Sequence, residues 1–216
     1  MASTFEKHAG IAVFPLREQP DDDCVLRRLL VAQPWRSGLR WPLGFEGGIA
    51  HRLDTSTSGA LLVADDLEEL ARIRKAFTEK LWRKSYLLLA ARNPPWDENR
   101  CERAIGHDLR HKGRMVVQRG RETPHRGRWY EADTSFRRIR GTLFEAQMQT
   151  GVMHQIRLHA AFLGIPLLGD SRYGGGATPS HAEPGAVFFL HHTSMKGPCG
   201  WATTPVAAPP WAFKEI

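Results

Sequence analysis

The sequence predicts an α+β fold, with a mixed, mainly antiparallel central sheet flanked by helices. Two observations predict it: runs that read as strands outnumber those that read as helices, and several strand runs are neighbours joined by short turns, as in hairpins. A third bounds the size. The 216 residues, 42% apolar and 25% charged, have an ordinary globular composition and suffice for one substantial domain, with room for two sub-lobes around a cleft.

Each element has its own signal. "FEKHAGIAVFP" predicts a short strand ending at Pro15. "QPDDDCVLRRLLVAQP" predicts a short helix between prolines, with acids at its start to complement the helix dipole. "GALLVAD" is an unbroken apolar run and reads as a buried strand. In "DLEELARIRKAFTEKLW", Leu67, Leu70, Ile73, Phe77 and Leu81 fall on one helical face, with Asp66 as N-cap and Glu69 three residues on. "RKSYLLLAAR" is a further strand. "RWYEADTSFRRIRGTLFEAQMQT" reads as a hairpin: Tyr130, Ala132, Thr134 and Phe136 alternate before a turn at "RIRG", and Phe144, Ala146 and Met148 alternate after it. "MHQIRLHAAFLG" is helical with Gly164 as its stop, and "AVFFLHH" is a late buried strand whose paired histidines, His191 and His192, read as strand-end structure. No internal repeat or low-complexity linker interrupts the chain.

Composition narrows the chemistry. Cys24, Cys101 and Cys199 are three in number, widely spaced and without a CxxC, which argues against a disulfide framework or a cysteine zinc site and for a reducing cytosol. "MASTFEKHAG" lacks a basic region followed by an apolar one, and no apolar run is long enough to span a bilayer. A cytoplasmic, monomeric protein with no membrane partner is expected. His107 and His111 are spaced like helical metal ligands, but no third ligand accompanies them, so no metal and no other cofactor is expected. "GDSRYGGG" lacks the Lys-Ser/Thr of a phosphate loop and reads as a loop near a nucleic acid. Charge is uneven. Between Arg100 and Arg140 twelve Arg or Lys stand against five acids, a surplus equal to the +7 of the whole chain. Arginine dominates there, and its planar fork suits phosphate, so the segment points to a nucleic-acid partner, with a solvated basic surface as the plain alternative.

The densest signal is "GGIAHRLDTSTSGALLVADD", where His51, Arg52 and Asp54 precede a hydroxyl run, a glycine and the buried strand. Residues held in a loop at the mouth of a rigid strand are a common way to build a site. "HRLDTSTSG" resembles the HRLDxxTSG signature of the RluA-like family of RNA pseudouridine synthases. Three further blocks follow in that family's order: "KSY" (Lys84–Tyr86), "TGVMHQIRLHAAFLGIPLLGDSRYGG" (Thr150–Gly175) and "FFLHH" (Phe188–His192). "KHAGIAVFP" is similar to a worn form of the family's KPAGxxVHP. The resemblance covers nearly the whole chain as a catalytic domain, residues 1–216, with no separate N-terminal RNA-binding domain.

The resemblance implies the pseudouridine-synthase-like fold and isomerisation of a uridine in structured RNA, ribosomal or transfer, without cofactor or metal. Asp54 is implied as the ionised carboxylate that acts as nucleophile or triggers glycal formation. Arg157 is its implied cationic partner, countering the effect of burial. Tyr86 is the implied active-site tyrosine, packing on the flipped base with its hydroxyl near C5. Arg52 is implied to enter the RNA and help extrude the uridine. Leu190 is implied as apolar wall, and His51, Thr57, Lys84, His154 and Gln155 as further substrate contacts. Departures fall at Val152 and Met153, where the family has Arg and Thr, at Ser56 where an acid is usual, and at His8 and Phe14 in the first motif; these bear on substrate choice. The alternative is a catalytically weak RNA-binding or chaperone homologue of the same fold. A deaminase would need HxE paired with PCxxC and an esterase GxSxG; neither pattern is complete here.

Overall fold

The computed structural model describes residues 2–179 and 185–213. In chain order its elements are β1 (Ser3–Lys7), α1 (Val25–Ala32), β2 (Ser58–Val63), α2 (Leu67–Thr78), β3 (Arg83–Leu89), β4 (Glu98–Cys101), β5 (Ile105–Asp108), β6 (Met115–Val117), β7 (His125–Tyr130), β8 (Thr134–Arg140), β9 (Leu143–Met148), α3 (Gln155–Phe162) and β10 (Leu190–Lys196). They fall into two compact units, one mainly Met1–Lys84 with His191–Ala208, the other mainly Ser85–Ala182. The β2–β10 pairing is parallel and the pairings β1–β2, β4–β8, β5–β6, β5–β7 and β8–β9 are antiparallel. The fold is therefore α+β with mixed, mainly antiparallel sheet, as the strand count predicts.

In the first unit the strand order is β1-β2-β10. Every residue of β2 is buried, because each of its faces is covered by a helix. Leu61 and Val63 pack with Val25 and Leu29 of α1, while Leu62 packs with Leu70, Ile73 and Ala76 of α2 and with Trp82. Burial on both faces explains why the strand is an unbroken apolar run rather than an alternating one. Asp66 caps α2, its side chain accepting from the Glu69 N–H at 2.7 Å. The α2 stripe is narrower than predicted. Leu70 and Ile73 are buried, but Leu67 and Leu81 lie about half exposed at or beyond the helix ends.

Two other expectations need correction here. The first strand ends at Lys7 rather than Pro15, since the chain turns at Gly10, whose φ of +82° is a left-handed conformation. The acids 21–23 precede α1 instead of forming its first turn. Asp23 binds the Arg28 side chain, which holds its carboxyl below the usual range.

The second unit contains most of β3 in the order β3-β9-β8-β4, and a three-stranded sheet, β6-β5-β7. The β8–β9 hairpin is present, with the predicted alternation buried at Thr134, Phe136, Phe144 and Ala146; Tyr130 instead ends β7 in the small sheet, Ala132 lies between the two strands, and Met148 is only half-buried. Its turn lies at Gly141–Thr142, however, and "RIRG" runs through the end of β8. The basic middle segment, read from the sequence only as a charged stripe, is folded into the small sheet. Its alternate residues Ile105, Met115 and Val117 pack against Leu158 of α3. β10 begins at Leu190, two residues later than "FFLHH" suggests, with Phe188 and Phe189 buried just before it. Cys24 and Cys101 are buried free thiols, and the side chain of Cys199 lies outside the described residues.

Candidate active site

The turn that bears Asp54 is built from three directions within the first unit. The Thr57 N–H donates to the Asp54 carbonyl at 2.9 Å, closing the turn on itself. The Gly10 N–H donates to the Thr55 carbonyl at 2.9 Å. From beneath, the buried Lys7 ammonium donates to the carbonyls of Thr57 at 2.6 Å, Thr55 at 2.8 Å and His8 at 3.1 Å. Register explains the reach: Lys7 is the last residue of β1 and sits opposite Gly59 on β2. Gly59 has φ +120°, and a Cβ there would run into the His192 backbone, so only glycine lets the turn enter the strand at this point. Burial pulls the Lys7 pKa down to about 7, and the Asp54 charge opposes that shift. Lys7 is thus a cation that bears directly on Asp54, and it is not among the residues the sequence points to.

Around this turn, Arg52 is exposed and Asp54 half-buried. Thr57 is buried, and its hydroxyl has no hydrogen-bond partner among the described residues. Behind it lies a set of imidazoles. His51 Nε2 accepts from the Leu62 N–H at 3.1 Å, so that nitrogen carries no proton. His192 Nδ1–H donates to the Ala60 carbonyl at 2.6 Å, and its ring meets His51 edge-on at 5.5 Å. His191 Nδ1 lies 2.9 Å from the Ser58 hydroxyl. Burial pushes His191 and His192 down to about 4 and His51 well below its ordinary value, with the His192 and Lys84 charges adding to the effect on His51. Lys84 is itself buried, its ammonium 5.7 Å over the Phe77 ring, and desolvation lowers it to about 8.

The remaining predicted residues belong to the second unit. Tyr86 is buried on β3, and Leu190 is buried at the start of β10. Arg157 is also buried, on α3, which rules out a surface helix charge. Its guanidinium makes a two-pronged pair with Asp170, Nε at 2.7 Å and Nη2 at 2.9 Å, and packs 4.3 Å over the Phe188 ring. Asp170, from the "GDSRYGG" loop, is a second functional candidate that the sequence does not single out. Gln155 has both ends of its amide bonded to the chain: Nε2 to the Asp133 carbonyl and Thr134 Oγ1, Oε1 to Thr150 Oγ1 and the Val152 N–H. It braces the 150–152 loop against β8. His154 precedes α3 with φ +59°, a strained backbone for a residue with a side chain, and its Nδ1 lies 2.8 Å from the Tyr173 hydroxyl. Val152, at the position where the family resemblance expects arginine, packs into the apolar cluster of the small sheet.

The first unit thus presents a half-buried carboxylate on a braced turn with an exposed arginine two residues before it, within an α+β fold of mixed, mainly antiparallel sheet. Solved structures share the fold: human RNA pseudouridylate synthase domain containing 4 matches with a TM-score of 0.70 at 20% identity, covering 98% of this chain and 87% of that one. The chain belongs to the RNA pseudouridylate synthase family, whose model matches residues 30–162. Among curated relatives, "RNA pseudouridine synthase 2, chloroplastic" of Oryza sativa subsp. japonica is 39% identical over 131 residues, 59% of this chain and 29% of that protein. "Ribosomal large subunit pseudouridine synthase C" of Rickettsia typhi is 32% identical over 158 residues, 71% of this chain and 50% of that protein. The chain therefore spans half or less of the length of these two relatives.

Proposed function

We propose that this protein isomerises a specific uridine in structured RNA to pseudouridine, with Asp54 as the reacting carboxylate. The N1–C1′ bond breaks, the base turns, and a C5–C1′ bond forms; the proton lost from C5 is balanced by one gained at N1. The observation that carries the reading is family membership together with the bracing of the Asp54 turn, where three main-chain carbonyls converge on one buried ammonium. Catalysis gains when the reacting group is held in place before substrate arrives, and this turn is so held. Arg52, exposed beside it, is free to enter the RNA as the uridine leaves its stack. Tyr86 packs on the base and serves proton removal at C5, Leu190 excludes water from the detached base, and Arg157 serves as a cation whose orientation Asp170 fixes. The name of the Rickettsia relative favours ribosomal over transfer RNA as the substrate. Among the described residues no helix is long and apolar enough to cross a membrane, and action as a cytoplasmic monomer is part of the proposal.

The test is to incubate RNA from cells lacking this protein with the purified chain and map new pseudouridines. Wild type should introduce them at one or a few positions. Asp54→Asn, which keeps shape and removes charge, should introduce none while still binding RNA. Wild-type turnover by that variant would refute the assignment.

A further inference from the structure

We propose that the second unit carries a groove for an unpaired RNA strand, with Phe162 as the platform on which one of its bases stacks. The inference rests on the reading of the chain as an RNA-modifying enzyme and adds to it a further contact with the RNA, built by residues of the second unit alone. The groove encloses about 620 Å³ between the 108–114 turn, the 119–124 loop, the end of α3 and the 172–174 turn. That volume is on the scale of a nucleotide-sized ligand.

Its rim is cationic. Arg110, Arg114, Arg119 and Arg172 line it against one carboxylate, Asp108. Arg110 and Arg119 are exposed, and neither guanidinium has an ion pair among the described residues. Asp108 is tied to its own turn by the N–H groups of Arg110 at 2.7 Å and His111 at 3.0 Å, which hold its carboxyl below the usual range. It fixes the shape of the rim and leaves the other arginines uncompensated; only Arg114 approaches it, at 3.8 Å. Lys112 and Arg121, from the same basic segment, do not line the groove.

Its floor is apolar, formed by Met115, Val117, Leu158 and Phe162. Phe162 is half-buried, and Arg103 and Arg119 each stand 5.9 Å from its ring centroid. That is the outer edge of cation–π range, in contrast to Arg157 packed at 4.3 Å over Phe188, so these two guanidiniums are only loosely held over the Phe162 ring and can give way to a base. Tyr173, the other aromatic, is occupied: its hydroxyl accepts from the Met115 N–H at 3.2 Å and lies 2.8 Å from His154, and Arg157 sits 4.9 Å over its ring. A cationic rim over an aromatic floor is the combination that binds unpaired strands. Phosphates track the arginines, and a base whose face is not already stacked settles on the ring. Duplex RNA offers the phosphates but no free base face, and a single nucleotide has too few phosphates for four arginines.

The experiment uses the full chain and a labelled, unstructured oligocytidylate carrying one 2-aminopurine, which contains no uridine and so cannot turn over. Wild type should bind it and quench the 2-aminopurine. Phe162→Leu keeps apolar volume in the floor and should lose the quench and weaken binding about tenfold. Arg110→Ala with Arg119→Ala, both on the surface, should flatten the slope of log affinity against log salt by about 1.4. Unchanged affinity and slope in the double variant would overturn the groove, as would equal, Phe162-dependent binding of a matched RNA duplex or complete displacement by cytidine monophosphate or an acidic peptide. Asp54→Asn should bind the oligocytidylate as wild type does. A failed isomerisation assay and a failed groove are thereby read independently.

Discussion

At Lys7 an ammonium group has left water and received three carbonyl oxygens in exchange. Removing the donor would strip the buried Thr57 carbonyl of its 2.6 Å bond and leave Thr55 held only by the Gly10 N–H, at a cost of roughly 1–3 kcal/mol for a buried group left unsatisfied. It would also free the turn on which Asp54 rides. Lys7→Met, close in length and without donors, should lower turnover by roughly 10²-fold, the scale expected when a reacting group drifts by about an ångström. Binding of the uridine-free oligonucleotide should not change. Kinetics measured well below the variant's melting temperature separate this from simple unfolding, and near-wild-type turnover would relegate Lys7 to a packing role. Asp54 and Arg52 could be picked out from four adjacent letters. Lys7 could not, because its importance lies in a pairing across some fifty residues that only the β1–β2 register creates. Asp170 was hidden for the same reason, since its partner Arg157 lies on another element.

Among the elements, β2 is the one whose sequence and environment agree most closely. Leu61 faces the α1 side and Leu62 the α2 side, and both are buried. Either leucine changed to alanine should therefore cost about 2–5 kcal/mol. A strand with one solvated face would show a large cost at only one of the two. Leu67→Ala, at a half-exposed helix end, should stay within about 0.5 kcal/mol. Urea denaturation of the three variants checks this, and a small effect at Leu61 or Leu62 would contradict the two-sided packing. The α2 cap and the β8–β9 alternation were legible because they are local: an N-cap contact and a period of two are written in neighbouring residues. The small sheet was not. Its strands are only three to six residues long, too short to show a period of their own; packing against α3 decides them.

For the molecule as a whole, the buried bases set how stability depends on pH. His191 and His192 titrate at about 4 in the fold, against about 6.5 when unfolded. A folded pKa below the unfolded one means the unfolded chain binds more protons between the two values, so stability is intact above the higher and is lost as pH falls toward the lower. The loss by pH 4 should be roughly 3 kcal/mol for each ring. Lys7 and Lys84, lowered to about 7 and about 8, act in the same direction at higher pH, and stability should continue to climb toward the ordinary lysine range near 10.4. Melting temperature should thus rise from about pH 4.5 to 6.5, where the two rings titrate, and again above about 8, where both lysines do. A flat profile over the acid range would contradict the neutral, buried state of the two rings.

The parallel pairing of β2 with β10, His191 to Ser58 and His192 to Gly59, has a consequence for how the chain is made. A ribosome delivers the polypeptide from its N-terminus at about 5–20 residues per second. The strand that completes the first unit arrives only after nearly the whole of the second unit has emerged. The early segment, with its fully buried β2, must therefore wait unfinished for roughly seconds to tens of seconds, while residues 85–182 already have their own partners at hand. Order of birth and order of folding are inverted: the part made first is sealed last. Pairings of such long separation form slowly, and for this protein the nascent β2 is the segment most in need of shelter during synthesis.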